Sequence, residues 1–367
     1  MQAPLSRENM IRGVILFTLF TVVGLVLSFL WTQGSQDLRE GAEELRQVFQ
    51  EMRYEYLLGA IIFMFVDWLA GGLRYHIFIK IVSPTIQFKD SFRAIMSTIC
   101  VSAITPFQTG GVGHLYIYAR SGVPFSGAIT AGIAAFLSTL VVLICAAGGI
   151  LLFTPTTLPD GTTWISFFSF LIFGLVFLTF LLLLFKPEIV TKIIYWLTDL
   201  IGRRFKPIAP FMERIKLKVE QISVEHKTFA RSLIREHKWT CFLSLLLTCV
   251  FLLARVIGGY YILRAFNTSA SIWDLCIVEM LYNFVVLFAP TPGASGFAEG
   301  TKSLLMKTLV VERVITPFVL LTRFFAVYCG VILGGIIISV QLTKDLNTNK
   351  EDLSKNITHQ PIINPTE

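Results

Sequence analysis

The sequence predicts an all-α polytopic membrane protein made of two inverted repeats, each of three spans plus a broken re-entrant helical hairpin. Three observations predict it. Hydrophobic residues make up 54% of the 367 positions and charged residues only 15%, against about 25% charged in an ordinary soluble chain. The apolar residues fall in runs able to cross a hydrocarbon core of about 30 Å at about 1.5 Å per helical residue. Two proline- and glycine-rich breaks, residues 105–114 and 289–299, interrupt apolar sequence at corresponding places in the two halves.

Residues 1–12 form a polar start with Arg7 and Arg12, and residues 14–31 a first span. That run is too long for a signal peptide and no small-residue cleavage site follows, so it reads as an uncleaved anchor. Residues 33–53 carry five acidic residues and three arginines. Leu38, Ala42, Leu45, Val48 and Phe49 recur there at helical spacing, which predicts an amphipathic helix lying on the bilayer. Residues 56–82 are a second span, with Asp67, Arg74 and His76 inside it.

Residues 92–105 are apolar but only 14 long, about 21 Å as a helix and too short to cross. They lead into the first break and a short helix through Arg120. Spans follow at 126–153 and 164–185, joined by a turn-rich loop at 154–163. The one large hydrophilic segment, 186–238, holds 12 basic and 6 acidic residues and predicts amphipathic helices rather than a separate domain. Residues 240–266 are a span containing Arg255. Residues 275–289 are again short, 15 residues, and lead into the second break. Residues 297–310, with Glu299, Lys302 and Lys307, are too polar to cross alone. Residues 315–342 are the last span, with Arg323 inside it, and the polar tail from 343 is expected to be disordered.

Residues 90–106 align with 274–290 without a gap and share four of 17 positions, an Asp, a Met, a Val and the Pro. Gly71-Gly72 before the first break matches Gly258-Gly259 before the second, and Gly148-Gly149 after the first matches Gly334-Gly335 after the second. Residues 1–155 therefore read as repeat 1, residues 156–342 as repeat 2, and 343–367 as a cytoplasmic tail. With re-entrant hairpins and both termini inside, Lys80, Lys89, Arg93, Arg120 and the 186–238 segment all fall on the cytoplasmic face of a plasma membrane, as the positive-inside rule requires. Three crossings per half invert the second repeat, and the two broken tips are expected to meet near the midplane, the plan of many transporters.

Broken helices leave free amides and carbonyls, and the amide ends attract anions such as phosphate. The candidate substrate-binding residues are therefore Gly111, Gly113 and His114 at the first break, and Pro290, Pro292, Gly293, Gly296 and Glu299 at the second. Arg120, Arg255 and Arg323 join them as cations able to neutralise a phosphate. Asp67, Arg74, Arg255, Glu279, Glu299 and Arg323 are costly in lipid and should face a polar cavity or pair with one another, with Glu299 and Arg323 the leading pair. The 186–238 segment is expected to contact the anionic lipid surface rather than nucleic acid. The six cysteines form no CxxC pair and read as buried small hydrophobes. No metalloprotease, nucleophile-elbow, P-loop or EF-hand motif is present, so neither an enzyme nor a cofactor is expected.

At residues 289–299 and beyond, the chain resembles the lysylphosphatidylglycerol synthase transmembrane, or flippase-like, family. The resemblance covers about residues 10–342. It rests on Pro290, Pro292, Gly293, Gly296 and Glu299 followed by Arg323, and on Pro106, Gly110, Gly111, Gly113 and Arg120 at the first break. Where a carboxylate is common after that break, this chain has His114. The resemblance implies movement of a phospholipid or lipid-linked substrate, such as an aminoacylated phospholipid or a glycolipid carrier, between leaflets. A membrane enzyme acting on a lipid-linked substrate, or a non-transporting partner of a lipid-modifying enzyme, are the alternatives.

Overall fold

A computed structural model describes residues 38–105, 109–153, 162–204 and 209–358, and every regular element among them is helical. The expected span at 14–31, Pro106 and most of the 154–163 loop lie outside the described residues. Among the described residues, five helical runs are long and apolar enough to cross a membrane: Glu55–Val82, Phe125–Leu152, Phe167–Phe185, Lys238–Ala265 and Glu312–Asp345.

In chain order, α1 is Leu38–Gln50, α2 Glu55–Val82, α3 Phe88–Ile104, α4 Gly111–Arg120, α5 Phe125–Phe153 and α6 Thr162–Phe185. Next come α7 Glu188–Arg204, α8 Ala209–Arg235, α9 Lys238–Ala265, α10 Ile272–Leu287 and α11 Phe297–Met306. Helix α12 is Glu312–Arg323, and a π-turn at Phe324–Tyr328 joins it to α13, Cys329–Thr358. The helix therefore continues well past 343, where disorder was expected. No Pro or Gly occurs between 336 and 360 to stop it.

Helices α2 and α9 form the centre. Gly59 lies against Tyr261, Asp67 bonds Arg255 and Gly71 lies against Phe251, so the two run antiparallel over most of their length. Small residues permit this approach: a Cβ on Gly59 would come 2.5 Å from the Tyr261 ring. In lipid, where apolar surface gains nothing by leaving its solvent, such close packing is a main source of helix association.

Helices α3 and α4 form a closed hairpin. A Cβ on Gly113 would sit 2.6 Å from the Ser97 carbonyl oxygen. Helix α13 packs on its outer leg: a Cβ on Gly334 would overlap the Met96 carbonyl and come 2.8 Å from Cys100 Cβ, and Arg93 donates to Gln341 at 2.6 Å. Helices α10 and α11 form a second hairpin, its legs joined by Lys302 Nζ donating to Glu279 Oε1 at 2.7 Å. Its outer leg packs on α5, where Ile277, Met280 and Leu281 share a buried cluster with Leu140, Leu143 and Ala147.

The apolar face of α1 meets protein, not bilayer as its amphipathic pattern suggested. Val48 is buried in a cluster with Phe266, Val314 and Ile315, and the Phe49 and Phe266 rings meet edge-on at 5.9 Å. At the other end, α7 and α8 form an antiparallel pair bonded by Glu188 to Lys227 and by Asp199 to Lys216 (2.7 Å). Helix α8 is pinned to α5: Ser126 Oγ donates to Glu225 at 2.6 Å, and Thr130 Oγ1 lies 2.6 Å from the buried His226 Nδ1.

Two predictions follow from this packing. Gly334→Ala should destabilise the protein by about 1–3 kcal/mol through overpacking, read as a lower thermal unfolding temperature in detergent. Gly149→Ala, whose Cβ would meet nothing within 4 Å, should not. Burial holds the His226 imidazole below its usual pKa, opposed by the nearby Leu183 and Leu184 carbonyls. The depressed value means that its stabilisation is complete above about pH 6.5 and is lost as pH falls below that. Unfolding temperatures measured between pH 7.5 and 5 should fall, and fall less in His226→Asn.

Candidate functional site

The second break is a turn in left-handed backbone. Gly293 (φ 59°), Ala294 (φ 56°) and Gly296 (φ 85°) all have positive φ. Glycine adopts this readily, but at Ala294 it costs on the order of 1–3 kcal/mol and needs support. The support is local and remote. Ala294 N–H donates to the Thr291 carbonyl at 3.0 Å, and Thr291 Oγ1 donates to the Ser295 carbonyl at 2.7 Å. From α12, Arg323 Nη2 donates to the Gly293 carbonyl at 3.1 Å, and its Nε donates to Glu299 Oε1 at 2.7 Å. Glu299 Oε2 in turn accepts from the Gly296 amide at 2.6 Å, closing the first turn of α11. Glu299 and Arg323 are 0% and 4% exposed, so this is a buried, multiply bonded pair.

Beside the turn lies a cavity of about 290 Å³. Helices α2 and α9 form one wall, α3 another, and α10, the turn, the end of α12 and the π-turn the remainder. The end of α3 touches the Pro292–Ala294 turn, so both hairpins meet here. Apolar side chains such as Phe63, Met64, Phe251 and Val286 supply much of the lining. The polar part is Thr98 and Ser102 from the first hairpin, Glu279, Tyr282, Asn283 and Lys302 from the second, and Asp67, Arg255 and Arg323.

The cavity charges come in opposite-sign pairs. Arg255 Nε donates to Asp67 Oδ1 at 3.0 Å, Lys302 bonds Glu279 at 2.7 Å, and Arg323 bonds Glu299 at 2.7 Å. Pairing is what makes such charges tolerable away from water. The pairs are not equivalent. The side chain of Arg255 is 32% exposed, while those of Lys302 and Arg323 are 7% and 4% exposed. Arg255 also stacks over Phe251, 4.3 Å from its ring centre. Nearby, the Trp68 indole N–H is buried without a partner among the described residues.

Of the residues singled out from the sequence, Arg255, Gly293 and Arg323 line the cavity, and Glu299 stands behind Arg323. Pro292 and Gly296 build the turn, while Pro290 is exposed. Gly111 and Gly113 belong to α4, where Gly113 serves close packing on Ser97. His114 is buried between Tyr75, 5.3 Å away ring to ring, and Tyr118. Arg120 lies at the far end of α4, bonded to Asp345 of α13 at 3.0 Å and half exposed. Arg74 is buried and donates to the Ala135 carbonyl and to Thr139 Oγ1, both at 2.5 Å. Sequence reasoning missed Trp68, Tyr282, Asn283 and Lys302 as site residues. A lysine one turn after Glu299, opposite a glutamate in the facing leg, was the available signal.

A family model for the lysylphosphatidylglycerol synthase TM region matches residues 12–334. The chain belongs to this family. The matched residues include both hairpins, the α2–α9 pair and every cavity residue described above. No curated protein matches the chain. In this member of the lysylphosphatidylglycerol synthase TM family, the proline- and glycine-rich break is a turn clamped by a buried ion pair, and the cavity beside it is lined from both halves.

Removing one partner of the clamp strands a buried charge, at about 3–5 kcal/mol. Glu299→Met and Arg323→Met should each lower the unfolding temperature strongly. The double variant should be less damaged than the sum of the two, and a double-mutant cycle on unfolding in detergent measures the difference.

Proposed function

We propose that the protein moves a phospholipid or lipid-linked headgroup between leaflets, as a flippase-like translocator rather than an enzyme. The observation that carries this reading is the cavity where the two hairpins meet, apolar over much of its wall but set with Asp67–Arg255 and Glu279–Lys302. A headgroup can be held there while the acyl chains remain in lipid. Arg255 is the cation best placed to take a phosphate oxygen, because Asp67 occupies only its Nε and its side chain is partly open to the cavity. Trp68 supplies a further donor.

In this reading the two hairpins are re-entrant and the two halves are inverted copies. The packing supports it. Helices α2 and α9 hold the same place in the two halves and lie antiparallel, while the outer leg of each hairpin packs on the last span of the other half, α3 on α13 and α10 on α5. An in-plane two-fold relation produces both features. In this reading the protein sits in a plasma membrane with α4, the α7–α8 pair and both termini on the cytoplasmic side, an orientation that the positive-inside pattern supports.

The test is leaflet exchange of labelled phospholipids in liposomes containing the purified protein. Exchange should exceed that of protein-free liposomes. Arg255→Gln should slow it about tenfold or more, the loss expected when a charge-assisted hydrogen bond of about 1.5–3 kcal/mol is removed. Arg120→Gln, outside the cavity, should leave it unchanged. Protein-free rates from the folded wild type would overturn the proposal.

A further inference from the structure

The α7–α8 pair carries a surface that no other described residue covers and that the cavity does not explain. The six carboxylates of residues 186–238 are all hydrogen-bonded or ion-paired within the protein. Glu188 bonds Lys227, Asp199 and Glu213 bond Lys216, Glu220 accepts from Tyr195, Glu225 accepts from Ser126 and Glu236 accepts from Ser232. Lys192, Arg214, Lys218 and Arg235 are exposed and make no ion pair among the described residues. Three of the six carboxylates share two lysines and the other three accept from hydroxyls, so the segment keeps a net positive charge, much of it facing outward.

An apolar stripe accompanies that charge. Glu188, Tyr195 and Asp199 of α7 face Lys227, Glu220 and Lys216 of α8. One residue further on, a rotation of about 100° in a helix of 3.6 residues per turn, stand Ile189 and Trp196 on α7 and Leu217 on α8. Because the helices are antiparallel, that same step turns all three to one side of the pair. Ile189, Ile193, Trp196, Leu217 and Val224 are 43%, 53%, 64%, 65% and 62% exposed. The opposite side carries His226 and Ala230, buried on α5 and α6.

We infer that this face docks on an anionic bilayer surface, with Ile189, Ile193 and Trp196 in the headgroup boundary and Lys192, Arg214, Lys218 and Arg235 among lipid phosphates. Two features select a bilayer as the occupant. Helix α7 begins three residues after α6 ends and α8 ends three residues before α9 begins, so both helices are tethered to spans at the membrane edge. The charge is predominantly positive, 12 basic to 6 acidic residues over 186–238, and each exposed basic residue near an anionic surface adds about 1 kcal/mol of attraction. The resulting clasp would hold α8, and through Ser126 and Thr130 the start of α5, at a fixed depth.

The measurement is quenching of Trp196 fluorescence by acyl-brominated lipid in liposomes holding the full chain, taken as wild type minus Trp196→Phe. Two lipid mixtures are compared, phosphatidylcholine alone and phosphatidylcholine with one third phosphatidylglycerol. Quenching of the Trp196 share should rise about twofold or more in the anionic mixture. It should return to the neutral value in the variant with Lys192, Arg214, Lys218 and Arg235 all changed to Gln, whose unfolding temperature should match wild type because none of the four is ion-paired. Equal quenching in both mixtures, or none in either, overturns the inference, the second result leaving the face to a protein partner. Lipid exchange through the cavity is a separate readout, so failure here leaves the translocation proposal standing.

Discussion

One buried ion pair governs the broken segment between α10 and α11. Arg323 reaches from α12 to both Glu299 and the Gly293 carbonyl, while Glu299 reaches back to the Gly296 amide. A turn with three demands for left-handed backbone in four residues has little reason to hold one shape in an apolar surrounding. The guanidinium satisfies a carbonyl that the left-handed turn exposes, and the carboxylate satisfies an amide that a helix start leaves open. Neither charge is tolerable there without the other. The turn, the first turn of α11 and the kinked junction at Phe324–Tyr328 are therefore fixed together.

From that junction the cavity follows. A π-turn immediately after Arg323 places Phe325, Ala326 and Val327 along the cavity wall, in keeping with the frequent use of such distortions at functional sites. Across from it, α2 and α9 approach closely because Gly59 offers no side chain. That approach brings Asp67 to Arg255 from residues 188 apart in the chain. Gly113 and Gly334 do the same for the first hairpin, pressing α4 and α13 onto α3. The glycines thus act on helix contacts, and the ion pairs act on the cavity those contacts leave.

Much of this was legible beforehand. Long apolar runs located the five spans among the described residues, and their length limits identified the two short-legged hairpins. The carboxylate and arginine that cannot be left alone in lipid were read as a pair from sequence, and they are one. Less visible was the destination of each side chain. Arg120 and Arg255 look alike in sequence, each an arginine on an apolar helix. One ends beside Asp345 on α13 and the other in the cavity. The stripe on α1 suggested a bilayer surface, yet Phe266, Val314 and Ile315 cover it, since periodicity reports that a face is buried and not what buries it.

The sequence by itself determined the class, the family and the element order, because hydrophobic run length and proline–glycine breaks act locally on the backbone. Tertiary structure alone decided which charges meet and which line a cavity. Ion pairing in a low-dielectric interior is settled by distances of a few ångströms. Those distances depend on how helices far apart in the chain cross, which the spacing of residues along one helix does not encode.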